Sequence, residues 1–261
     1  MVNHKLEVNG VKKTFRRGET TVQALRPTSF SVEAGQFVSI IGPSGCGKST
    51  LFNIIAGLIG PTEGEVRSDG ESILGCPGYV GYMLQKDMLL PWRTILDNVI
   101  LGLEIRRIPR KQAIDRAMPL IERYGLKGFE NHYPHELSGG MRQRAALLRT
   151  LLYDRDILLL DEPFGALDAQ TRLDMQNWLL DIWHDVQKTV LFVTHDIDEA
   201  LYLSDQVLVF SGRPGYVKHC LKVDLPRPRG SETITTAAFM AQKRQLLRWL
   251  NEEKEGSERN G

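Results

Sequence analysis

The period of the apolar positions changes along the chain. From residue 5 to about 83 they fall in short alternating or continuous runs, as in strands. Leu6, Val8 and Val11 flank an Asn9-Gly10 pair, which predicts a hairpin turn there. Residues 22–25 and 30–32 read as two further short strands. Residues 37–41 are a continuous apolar run ending in glycine, the form of a buried strand. Leu51, Ile54, Ile55 and Leu58 then recur at helical spacing.

From 88 to about 152 the pattern is helical. Ile95, Leu96, Val99, Ile100 and Leu103 mark one apolar face. Pro109 can start the next helix, because a first-turn proline gives up no needed hydrogen bond. Pro119, inside that helical pattern, predicts a kink or a division. Ser138 is placed to cap a helix running through Leu152. Residues 157 to about 210 return to strands alternating with helices, including a long helix through Trp178 and Trp183, as in a largely parallel sheet covered by helices. An edge strand over 216–223, an extended LPRPRG stretch and an amphipathic helix over 236–252 are expected next. The final EEKEGSERNG has the composition of a disordered tail.

Composition narrows the classes. With 261 residues there is room for one large domain or two lobes. A net charge of +1 gives no global field to recruit nucleic acid or an acidic membrane. Cys46, Cys76 and Cys220 are too few and too unpatterned for a disulfide framework or a zinc site, and point to a reducing compartment. The first residues lack the apolar core of a signal peptide, and no window approaches the roughly 20 apolar residues of a membrane span. The expectation is a soluble or peripheral protein that reaches a membrane only by docking to an embedded partner.

Three stretches carry chemistry. GPSGCGKST at 42–50 follows a buried strand and opens a helix, the context a phosphate-binding loop requires. Gly42, Gly45 and Gly47 let the backbone bend so that its N–H groups face phosphate oxygens, with Pro43, Ser44 and Cys46 completing the loop. Lys48 would neutralise the β- and γ-phosphates, Ser49 would offer a hydroxyl to magnesium, and Thr50 would reach the α-phosphate. Cys46 reads as a neutral filler. ILLLDEP at 157–163 delivers Asp161 and Glu162 at a strand end, Asp161 to hold magnesium through water and Glu162 to act on the attacking water as general base. Alone, the acid pair reads equally well as a surface turn. LSGGMRQR at 137–144 opens a helix whose free N–H groups, from Ser138, Gly139 and Gly140, suit an anion; an ordinary capped helix start is the plainer alternative.

Together these stretches resemble the nucleotide-binding subunit of an ABC transporter: GPSGCGKST its Walker A, ILLLDEP its Walker B and LSGGMRQR its signature, in the family's order, over residues 6 to about 225. Met141 departs from the glutamine most often found after LSGG. The resemblance implies an α/β fold: a P-loop NTPase core with an antiparallel β subdomain and an inserted α-helical lobe at about 88–152, the ATPase domain spanning 5–225 and a C-terminal extension 226–261. It further implies that Gln85 reaches magnesium and links the site to the helical lobe. Asp168, in GALD, would cross a dimer interface or serve as a helix cap. His195 would contact the γ-phosphate, and Phe15 would stack on adenine or belong to the core. ATP and Mg2+ are the implied cofactors. The signature of one copy would meet the ATP held by a second copy, so that two ATP molecules join a head-to-tail dimer.

Leu89, Leu90 and Trp92, expected to be exposed, would form a socket for a membrane subunit's helix or else pack the two lobes together. LLPWRTILDNV and LPRPRG resemble the nitrate/sulfonate/taurine importer branch, whose related members serve thiamine-precursor pyrimidines. The implied partners are integral membrane permease subunits and, indirectly, an extracytoplasmic solute-binding protein, with the chain on the cytoplasmic face of the plasma membrane and no nucleic acid bound. Two alternatives stand beside this reading. A soluble ABC-type ATPase acting on ribosomes or DNA usually carries tandem domains, long coiled-coil insertions or zinc cysteines, which this chain lacks. A binding module without turnover sits poorly with the presence of Lys48, Glu162 and His195.

Overall fold

The computed structural model describes residues 4–165 and 167–258, with side chains through residue 252. The elements in chain order are β1 (His4–Arg17), β2 (Thr20–Glu33), β3 (Phe37–Ile41), α1 (Lys48–Ile55), β4 (Glu63–Ser68), β5 (Glu71–Ser72), β6 (Gly81–Met83), α2 (Ile95–Val99), α3 (Leu101–Ile105), α4 (Arg110–Arg123), α5 (Gly139–Leu152), β7 (Ile157–Asp161), α6 (Ala169–Val186), β8 (Thr189–Val193), α7 (Ile197–Leu203), β9 (Gln206–Phe210), β10 (Val217–Lys222) and α8 (Ala237–Glu258). They fall into two compact units, residues 1–80 with 187–261 and residues 81–186.

The first unit holds an antiparallel sheet in the order β2-β1-β4-β5. Asn9-Gly10 does not turn the chain. Strand β1 runs straight through it, and the hairpin to β2 turns at Gly18-Glu19 instead. The positive φ that makes Asn-Gly a turn signal serves a bulge here: Gly10 has φ +60°, and its N–H donates to Ser29 Oγ at 2.9 Å. Val8 pairs with Phe30 but Val11 with Thr28, so one extra residue is absorbed in β1. The two short strands expected at 22–25 and 30–32 are parts of the single 14-residue β2.

The same unit holds β3, parallel to both β8 and β9, with β10 antiparallel to β9 at the edge. Every residue of β3 and β8 is buried, as strands covered on both faces must be. Helix α8 buries Phe239 and Leu246 and continues to Glu258, beyond the helix read from the sequence. Residues 259–261, the end of the expected tail, lie outside the described residues.

In the second unit β6 and β7 are parallel, and the helices α2 to α6 account for most of the rest. Pro119 does not divide α4: the helix is continuous, with Ala113, Ala117 and Ile121 buried at four-residue spacing along one face. The apolar face at 95–103 is broken into α2 and α3, with Thr94 Oγ1 accepting from Asp97 N as the cap of α2. Fully buried Asn98 gives Nδ2 to the carbonyls of Leu90, Arg93 and Thr94, and its Oδ1 accepts from Leu90 N at 2.7 Å. That network fixes the 89–94 loop. It leaves Trp92 71% exposed but buries Leu89, which corrects the expectation that Leu89 lies on the surface. No described helix is long and apolar enough to cross a membrane.

Candidate functional site

Strand register places the candidate residues. In the first unit Ile40 pairs with Val193, so Gly42 and His195 each stand two residues beyond a paired position on adjacent parallel strands. In the second unit Met83 pairs with Leu160, and Gln85 and Glu162 again stand two residues beyond. The carboxyl ends of parallel strands are where open α/β sheets bind ligands.

The 42–50 loop runs from the end of β3 into α1. Lys48 is buried, with Nζ donating to the carbonyls of Gly42 at 2.8 Å and Pro43 at 2.9 Å and lying 3.7 Å from Cys46 Sγ. Its charge is thus folded against the loop. Ser44, Gly45 and Ser49 are exposed, Thr50 half-buried. Gly47 is the cap of α1 at φ +110°, a conformation that residues with side chains rarely adopt, and a Cβ there would come within 2.7 Å of Leu25 Cδ2. Leu25 is the register partner of Lys13, so the β1–β2 hairpin backs the loop and carries Phe15 two residues further along. Phe15 is 43% exposed, which removes the core alternative; Lys13 Nζ lies 5.0 Å from its ring centre.

Two contacts behind this loop were not legible as such. A Cβ on Gly215 would lie 1.9 Å from the Cys46 carbonyl oxygen. Gly215 also exchanges backbone hydrogen bonds with β2, N to Ala24 O at 3.0 Å and O from Arg26 N at 2.9 Å. The sequence signal was the Pro-Gly after β9, a turn that also serves as a wall. Burial pushes the Cys46 thiol above its ordinary range, which the nearby Lys48 only partly offsets, so it stays a neutral filler.

In the second unit Gln85 and Glu162 meet: Gln85 Nε2 donates to Glu162 Oε2 at 3.0 Å. Glu162 holds φ +46°, a left-handed backbone uncommon outside glycine, which costs about 1–3 kcal/mol and fixes where its carboxylate starts. Asp161 is buried and hydrogen-bonds the Tyr82 hydroxyl, whose pKa is pushed well up by burial and then by that carboxylate. Tyr82 was missed; its signal was a polar ring in a short strand paired with the strand carrying Asp161.

Ser138 caps α5, its Oγ accepting from Met141 N at 3.3 Å, and Ser138 and Gly139 are exposed. The helix is tied to the loop after Gln85. Arg142 Nε reaches Asp87 Oδ2 at 3.1 Å and its Nη1 the carbonyl of Leu137 at 2.7 Å, while Arg149 donates to the carbonyls of Asp87 and Met88 at 2.6 and 2.7 Å. Two arginines two helical turns apart were the available signal. Asp168 is exposed and serves as a cap: Thr171 Oγ1 and N donate to it at 2.7 and 3.0 Å, holding its carboxyl below the usual range.

Among the described residues no three His, Cys, Asp or Glu side chains form a metal cluster. The exposed Ser49 hydroxyl in the first unit and the buried Asp161 carboxylate in the second are each oxygen donors of the kind magnesium takes, an ion that keeps waters and binds substrate phosphate oxygens instead of a protein cage.

Residues 25–165 match the family model described as ABC transporter. The aliphatic sulfonates import ATP-binding protein SsuB of Bacillus cereus is 45% identical over 93% of this chain and 94% of its own. The taurine import ATP-binding protein TauB of Rhizobium johnstonii is 47% identical over 82% and 81%. Two solved structures of the cassette MJ0796, one titled a dimeric bacterial ABC transporter cassette and one a dimeric post-hydrolysis state bound to ADP and Pi, are 34% and 33% identical. Each has a TM-score of 0.75 over 86% of this chain and 99% of theirs.

Proposed function

This chain belongs to the ABC transporter family and is one of its ATPases, and from that premise we propose that it energises a membrane importer for a small organosulfonate anion. The observation that carries the importer and cargo class is the likeness, over 93% and 82% of the chain, to subunits named for importing aliphatic sulfonates and taurine. The same names favour transport over work on ribosomes or DNA.

In this reading the amides of the 42–50 loop and the dipole of α1 receive the phosphates. Lys48 leaves the carbonyls of Gly42 and Pro43 and moves onto the β- and γ-phosphate oxygens. Phe15, already exposed, offers a ring face to adenine. Ser49 and Asp161, the latter aligned by Tyr82, would hold Mg2+, which neutralises phosphate charge when bound. Glu162 accepts a proton from water as the water oxygen bonds to the γ-phosphorus; the bridging P–O bond breaks and its electron pair leaves with ADP. Gln85 orients that carboxylate, and His195 meets the γ-phosphate. The exposed Ser138 and Gly139 at the head of α5 meet the ATP of a second copy, and Asp168 faces the same interface. The dimeric state of the MJ0796 cassette supports this arrangement. Cleavage followed by departure of phosphate removes the charge that holds the two copies together, a switch of the γ-phosphate kind.

The test is co-purification of the tagged full chain from its native membranes, reconstitution into liposomes with the proteins that accompany it, and assay of ATP turnover with sulfonates supplied. Stimulation by taurine or alkanesulfonates is expected. Stimulation by nitrate or a pyrimidine instead would replace the cargo class, and recovery with ribosomes or DNA and no membrane protein would remove the importer reading.

A further inference from the structure

The C-terminal extension does more than trail from the core. Helix α7 begins directly after His195, and its start is fixed locally: Asp196 caps it, accepting from the N–H groups of Asp198 and Glu199, and buried Thr194 binds Glu199 Oε2 at 2.6 Å. Its other end leaves carbonyls that a seven-residue helix cannot satisfy internally. Two arginines of LPRPRG take four consecutive ones. Arg229 Nη1 donates to the carbonyls of Leu201, Tyr202 and Ser204 at 2.9, 3.0 and 2.7 Å, and Arg227 Nη2 to that of Leu203 at 2.7 Å. Arg227 also grips Asp205 Oδ1, while Asp205 Oδ2 accepts from Phe37 N at the start of β3. Tyr202 returns a hydrogen bond to the Arg229 carbonyl at 3.2 Å. At the N-terminal end, Lys243 of α8 pairs with Asp198 at 2.7 Å. Arg229 is 8% exposed, and burial lowers its pKa only to about 10, so it stays a cation where the helix dipole is negative.

We propose that residues 225–243 are a positioning element for His195, with Arg229 and Lys243 holding α7 from its two ends so that the extension sets the rate at which bound ATP is cleaved. This rests on the reading of His195 as the γ-phosphate contact. Loosening either end lets α7 shift, moving His195 away from its place beside the 42–50 loop. The loop's own nucleotide contacts are untouched, so cleavage should suffer and binding should not.

The experiment uses the full chain with Arg229→Met, Arg229→Lys or Lys243→Glu, each alone and combined with His195→Ala. Equilibrium ATP affinity and the rate of one round of cleavage at saturating Mg·ATP are measured. Arg229→Met and Lys243→Glu should lower the single-round rate roughly 3- to 10-fold and leave affinity within about twofold. Arg229→Lys should recover part of the loss, and neither change should add to His195→Ala. If Arg229→Met fails to fold, Lys243→Glu, whose ion pair is partly exposed, carries the test. Unchanged rates in both overturn the proposal. A full additional loss on top of an impaired His195→Ala also overturns it while leaving the reading of His195 intact. A normal rate for His195→Ala alone removes that reading and the positioning role with it.

Discussion

Gln85 Nε2 lies 3.0 Å from Glu162 Oε2, joining two residues that each follow a paired strand position by two. The contact gives the candidate general base a defined direction before water arrives, and the register of β6 on β7 brings it about. Glu162→Gln should therefore slow single-round cleavage by about two to four orders of magnitude while ATP still binds. Gln85→Ala, which removes one hydrogen bond to the carboxylate and leaves the carboxylate in place, should cost less. Equal losses in the two variants, followed by quenched-flow release of phosphate, would assign the chemistry elsewhere.

Lys48→Ala should weaken ATP binding on the order of a hundredfold, because a buried cation that has exchanged two carbonyls for phosphate oxygens is lost. Titration with a fluorescent ATP analogue reads this directly. An unchanged affinity would place the triphosphate away from the 42–50 loop.

Ser138→Arg places a bulky cation on the exposed head of α5. Monomers should bind nucleotide normally, and the ATP-dependent dimer of a Glu162→Gln background should vanish in sedimentation velocity. Loss of nucleotide binding by the monomer would count against a site shared between copies.

Gly215→Ala forces a methyl group to within 1.9 Å of the Cys46 carbonyl oxygen, so either the 42–50 loop or the Pro214 turn must move. A loss of about 1–3 kcal/mol in urea unfolding is expected, together with weaker ATP binding. A variant as stable as the parent would show that the turn yields freely.

Iodoacetamide at mildly alkaline pH should label exposed Cys76 and Cys220 well before Cys46, whose burial raises its pKa and blocks access. Peptide mass spectrometry of the native and urea-unfolded chain distinguishes the thiols. Early labelling of Cys46 would mean that the loop opens readily.

What the sequence disclosed was local. A strand, a glycine-rich loop and a helix are contiguous, so the 42–50 loop was legible. Ser138 as a cap and the α/β alternation after 157 were legible for the same reason. Asn9-Gly10 misled because a positive φ serves a bulge as well as a turn, and only pairing with β2 and β4 decides between them. Leu89 misled because the path of its loop is pinned by Asn98, a polar residue that bonds the neighbouring Leu90 on both N–H and C=O and also takes the carbonyls of Arg93 and Thr94. The partners of Tyr82, Gly215 and Arg229 were not legible: each acts on a residue far away in sequence, and no spacing rule reports such a contact.

The register that sets these positions also constrains insertions. A single residue added between Met83 and Gln85, or between Val193 and His195, would keep every letter of the surrounding motif yet carry the candidate side chain off its strand-end station. Gapped comparison would still score such a chain as intact. Counting residues outward from the last paired strand position is the stricter criterion for deciding whether a divergent relative can still cleave its nucleotide.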